Sequence, residues 1–91
     1  MLRLNCFFQA KEGRCPDALA AAIELTEASH KQDGCIAYDV FASATRPGVL
    51  LICETWRDEA ALAAHSVSEP FVKNVAFIND CGEMNIEKFE M

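Results

Sequence analysis

The sequence predicts an α+β fold, a four-stranded antiparallel sheet with helices on one face, in the order β-α-β-β-α-β. Three observations predict it. Leu2 to Gln9 alternates apolar and polar side chains at the two-residue period of a half-buried strand. Two later stretches repeat apolar residues at helical spacing behind recognisable start signals. Between them, the turn Thr45-Arg46-Pro47-Gly48 joins two strand-like runs closely enough to pair them as an antiparallel hairpin.

In the first strand Leu2, Leu4, Cys6 and Phe8 share one face, and Arg3, Asn5, Phe7 and Gln9 the other. Lys11-Glu12-Gly13 turns the chain. Pro16 suits the first turn of a helix, and Asp17 complements its dipole. From Cys15 to Gln32 the expected inward face is Ala18, Leu19, Ala22, Ile23, Leu25 and Thr26, with Glu24, Glu27 and Lys31 opposite. Gly34 ends the helix in the left-handed conformation. Cys35 to Ser43, rich in β-branched and aromatic residues, is the second strand, and Val49 to Trp56 the third. Asp58 is a good N-cap for a short helix from Glu59 to His65. Ser66 to Pro70 interrupts it. Ser68 can cap a continuation to about Asp80, with Phe71, Val72, Val75 and Ile78 inward and Phe77 outward. Glu83 to Glu90 is the last strand.

This order is that of the split βαβ, ferredoxin-like motif. Helices cover one sheet face only, so the other, which also carries apolar side chains, needs a cover; a two-fold homodimer packing sheet on sheet would supply it.

Composition narrows the function. The 91 residues form one domain, residues 1–91, and 52% apolar content fits a packed globule. A domain this size buries only roughly 60–65% of its unfolded surface, which favours self-association. The net charge is −6 and the eight basic residues are scattered, so no nucleic-acid partner and no anionic membrane surface is expected. The N-terminus does not read as a signal peptide, and no apolar run approaches a membrane span. Five cysteines without CxxC spacing argue against a disulfide framework and structural zinc, and suit a reducing, cytoplasmic setting. No metal-ligand cluster and no glycine-rich phosphate loop is present, so neither metal nor cofactor is expected.

The run Gly34-Cys35-x-x-Tyr38-Asp39-Val40-Phe41, followed by Glu54-x-Trp56-x-Asp58-Glu59-x-Ala61-Leu62-x-x-His65, resembles the antibiotic biosynthesis monooxygenase domain. The Gly13 turn and the closing Met84-Asn85-Ile86 strand extend the resemblance over nearly the whole chain. It implies a dimeric α/β barrel of ferredoxin-like subunits. It also implies one of several activities: cofactor-independent oxidation of quinols or anthrones by O2, haem degradation, or isomerisation of a small carbonyl compound. A non-catalytic, ligand-binding or accessory domain stays open.

His65 follows Leu62 by three residues and Ala61 by four, which places it on the inward face of its helix. It is the candidate catalytic residue: a general base with a pKa near working pH that takes a phenolic proton. The alternative is a partly buried histidine bonded to a backbone carbonyl. Trp56, Tyr38, Phe71 and Cys6 are the candidate substrate-binding residues, each equally readable as core. Phe41 reads as pocket lining or packing. Glu54 is expected to pair with a nearby Arg or Lys, and His30 to lie on the surface at a helix end. Asn5 lies on the opposite sheet face from Cys6 and is not a site candidate.

The resemblance also carries exclusions. The haem-degrading branch has Asn, Trp and an iron-binding His where this chain has Cys6, His65 and Val75, so haem degradation is not expected. Many relatives carry a second His just before the Phe71 position, which is Pro70 here.

Overall fold

The alternation of Leu2, Leu4, Cys6 and Phe8 places the first strand, and the rest of the sheet is built around it. The computed structural model describes residues 1–91 and contains β1 (Leu2–Ala10), α1 (Cys15–Ser29), β2 (Cys35–Ala42), β3 (Val49–Trp56), α2 (Glu59–Ser66), α3 (Glu69–Cys81) and β4 (Gly82–Glu90). The strands lie in the order β2-β3-β1-β4, and every neighbouring pair is antiparallel. This is the ferredoxin-like arrangement, with its second helix divided in two.

Register decides which side chains reach the helices. Leu2 pairs with Trp56, Leu4 with Glu54, Cys6 with Ile52 and Phe8 with Leu50. Tyr38 pairs with Glu54 from the other side. These residues are buried beneath Ala18, Ala22 and Leu25 of α1 and Ile78 and Cys81 of α3. Small residues on α1 let that helix sit close to the sheet.

Gly34 carries φ +83°, and a Cβ there would run into the Ala61 methyl. Its missing side chain therefore lets the turn before β2 pass under α2. Asp58 accepts from the Ala61 amide at 2.9 Å and caps α2 as expected.

Several expectations are corrected. Helix α1 stops at Ser29 and not at Gln32. Beyond it the Lys31 and Gln32 amides bond to carbonyls three residues back, so the chain tightens into a turn. Ile23 and Val72 are exposed. At 100° per residue Ile23 lies beside the buried stripe of α1, and Val72 lies on the far side of α3 from Asn74, Ile78 and Cys81. Ser68 precedes α3 but makes no side-chain cap; its hydroxyl is engaged elsewhere. His30 is exposed at the end of α1 as expected, and its Nε2 also lies 2.6 Å from the Tyr38 carbonyl.

The second sheet face carries no helix. Phe7, Phe41 and Phe89 are exposed on it, beside half-buried Val49, Leu51 and Cys53. Phe41 therefore lines no interior pocket between sheet and helices. No helix is long and apolar enough to cross a membrane.

Candidate active site

Between the covered sheet face and the helices lies a cavity of about 150 Å³. Leu4, Cys6, Ile52 and Ile86 form its floor, Leu62, Phe71 and Val75 its roof, and Tyr38, Glu54 and His65 bring its main polar groups. Four of the five expected site residues, His65, Tyr38, Phe71 and Cys6, meet there. Trp56 contributes no surface to it. The indole is fully buried behind His65, with ring centroids 4.4 Å apart and planes 35° from parallel.

His65 is 2% exposed although it ends a short helix. Trp56 backs its imidazole, Phe71 meets it edge-on at 5.0 Å, and Tyr38 lies 5.7 Å away. This aromatic enclosure excludes water from the ring, and burial holds its pKa down to about 4. The imidazole is therefore neutral at pH 7, well below the near-neutral pKa expected of it. Its internal partner is also not the expected backbone carbonyl. Nδ1 lies 2.6 Å from Oε1 of Gln32, in the turn after α1. Nε2 is buried and has no hydrogen-bond partner. Leaving such an atom unmatched costs about 1–3 kcal/mol, so the site keeps an unused acceptor against its stability.

Glu54 is the second polar group, and its surroundings differ from expectation. None of the chain's ion pairs involves it. The Trp56 indole N–H donates to Oε1 at 2.7 Å, and the Cys6 thiol lies 3.4 Å from Oε2. Burial raises the carboxyl pKa, partly offset by those two donors. Burial and the neighbouring carboxylate push the Cys6 thiol up, so it stays protonated and inert as a nucleophile. The same two causes push the Tyr38 phenol up, and it remains a neutral O–H.

Chemically the site is an apolar slot with one free neutral base, one carboxyl held above its ordinary pKa and one phenol. No group of three His, Cys, Asp or Glu residues is arranged to hold a metal. The sequence gives Gln32 and Ser68 no place in the site and does not show that Glu54 is buried. Gln32 and Ser68 both sit in turns, and Gln32 meets His65 and Ser68 across separations of 33 and 36 residues. Their polarity in otherwise short connections was the only signal.

Comparison with known proteins places this architecture. A family model described as "Antibiotic biosynthesis monooxygenase" matches residues 1–76. The Bacillus subtilis (strain 168) protein YcnE, provisionally named a monooxygenase, is 28% identical over 76 residues, 84% of this chain and 80% of its own length. A crystal structure from Bacteroides thetaiotaomicron VPI-5482, of a conserved protein of unknown function described as a possible oxidoreductase, superposes with a TM-score of 0.96 at 47% identity, covering 99% of this chain and 96% of that one. Another, described as an antibiotic biosynthesis monooxygenase, gives a TM-score of 0.92 at 28% identity, covering 100% and 98%.

Proposed function

The chain belongs to the antibiotic biosynthesis monooxygenase family, and from that premise we propose that it oxidises a single-ring quinol with O2, using His65 as proton acceptor. At the level of the family its role is monooxygenase-like. The observation that carries the finer reading is the buried, unpartnered Nε2 of a neutral imidazole at an apolar cavity.

Cavity size limits the substrate. An apolar cavity of about 150 Å³ accommodates benzene, so this one suits a single aromatic ring and is too small for a three-ring anthrone. A ring hydroxyl meeting Nε2 would give up its proton, and the aryloxide would pass an electron to O2. Recombination and loss of water then give a hydroxyquinone: one quinol and one O2 yield one hydroxyquinone and one water.

At pKa about 4, His65 is a weak base for a phenol. Two features assist it. The face of Trp56 stabilises positive charge on the stacked ring, and the aryloxide forms beside the imidazolium in a slot that excludes water. The protein's contribution is thus desolvation, orientation and charge pairing.

A second reading, isomerisation of a small carbonyl compound, is favoured by Glu54. A carboxyl with raised pKa and a neutral histidine at one cavity form an acid–base pair able to move a proton between neighbouring carbons. The test is oxygen consumption by the purified protein with a panel of monocyclic hydroquinones. The oxygenase reading expects one O2 consumed per hydroxyquinone formed and no turnover under argon. Turnover of a carbonyl substrate that persists undiminished under argon would select the isomerase. No chemistry with the hydroquinones or with small carbonyl compounds would leave a ligand-binding domain.

The uncovered sheet face, with Phe7, Phe41 and Phe89, is proposed to pack against a second copy of the chain. Sedimentation is expected to give a dimer that Phe41→Asp weakens; a monomer at high micromolar concentration would sink this assignment. The free thiols of all five cysteines suit a cytoplasmic setting.

A further inference from the structure

Three hydrogen bonds run behind the candidate base. The Ser68 hydroxyl lies 2.7 Å from the His65 carbonyl oxygen, an atom that can only accept, so the serine proton is spent there. The serine oxygen is left to accept, and Nε2 of Gln32 donates to it at 3.0 Å. That contact orients the Gln32 amide, so its Oε1 is the atom facing His65 Nδ1 at 2.6 Å. An oxygen at that distance requires the proton on Nδ1. Turning the amide over would set two oxygens against one serine proton, and would leave His65 with a buried N–H at Nε2 facing no acceptor.

We propose that Gln32 and Ser68 are positioning residues that lock His65 in the Nδ1–H tautomer, and that the lock makes the cavity select ligands bearing a neutral O–H. Nε2 is thereby an acceptor before any ligand arrives. A carbonyl of the same shape offers it only another lone pair. The inference rests on the cavity being the ligand site, but the tautomer itself is readable without a ligand.

Two measurements test it. The first is ¹⁵N NMR of the histidine rings at pH 7 in the full chain. The expected wild-type spectrum has His65 Nε2 at an unprotonated shift and Nδ1 at a protonated one. Ser68→Ala frees the amide to turn, and both nitrogens should move to averaged shifts. Ser68→Thr keeps the hydroxyl and should restore the wild-type pattern, which a merely structural effect of the substitution would not do. A wild-type His65 protonated on Nε2, or a tautomer unmoved by both Ser68→Ala and Gln32→Leu, overturns the lock.

The second measurement compares phenol with benzaldehyde, whose carbonyl can only accept. The wild type should bind phenol about tenfold more tightly than benzaldehyde, the order of one hydrogen bond gained. Ser68→Ala should lose that preference. A locked Nδ1–H tautomer without phenol preference overturns the selection, and with it the cavity as ligand site, while the lock would stand on its NMR evidence. A correct preference for phenol without quinol turnover would overturn the oxygenase reading and support the inference.

Discussion

Acidification from pH 7 to pH 4 will cost the folded chain about 3 kcal/mol through His65 alone. In the unfolded chain this imidazole takes its proton near pH 6.5, and in the fold burial holds it back to about 4. Between those values the unfolded state binds the proton and the folded state does not. Stability therefore falls as pH drops through that window, at about 1.4 kcal/mol per pH unit, and the loss is complete below the folded value. Above pH 6.5 neither state is protonated and the contribution vanishes.

Glu54 works in the opposite sense. Its folded pKa is raised, so the folded state holds the extra proton, and this carboxyl favours the fold as pH falls. The wild-type curve contains both slopes, and a variant must separate them. His65→Phe keeps a ring between Trp56 and Phe71 and removes the titrating group. Urea unfolding at pH 7 and pH 4.5 should show the wild type losing about 2–3 kcal/mol more than His65→Phe. Equal losses in the two proteins would mean that the imidazole is hydrated in the fold.

How much of this was legible beforehand differs by residue. The alternation of Leu2, Leu4, Cys6 and Phe8 and the Asp58 cap each depend on neighbours in sequence and appear where local chemistry puts them. So does the inward direction of His65, because three- and four-residue spacing on a helix is a local property. Gly34 takes its left-handed conformation but does not cap α1, which ends earlier at Ser29 with His30 as its cap. Ile23 was misread because the sequence shows an apolar stripe but not how wide a strip the sheet covers, whereas Val72 stands about 120° round the helix from Ile78 and its spacing already points away from the sheet. The environment of Glu54 needed the pairing of β1 with β3, which brings Cys6 from 48 residues away to its carboxyl. The same holds for the depressed pKa of His65: Trp56, Phe71 and Tyr38 enclose the ring only once three elements have converged. Gln32 was hidden most fully. The sequence reads it only as the last residue of the first helix, and its role exists because α2 lies over the turn it actually occupies.

Removing the imidazole should also remove the chemistry. A positioned general base contributes typically 10²–10⁴-fold, so His65→Ala and His65→Asn should lose at least about a hundredfold in kcat/KM toward a monocyclic quinol. The wild-type profile should stay flat from pH 8 down to about 5, because the base is already neutral there, and should fall only as the imidazole protonates near 4. A near-neutral base would instead fall below pH 6.5.

The most direct measurement is quinol-dependent oxygen uptake by the wild type and by His65→Ala, each checked for native fold by circular dichroism. The expected result is turnover in the wild type and a loss of at least about a hundredfold in a folded variant. Undiminished oxygen uptake by folded His65→Ala would contradict the assignment of His65 as the proton acceptor.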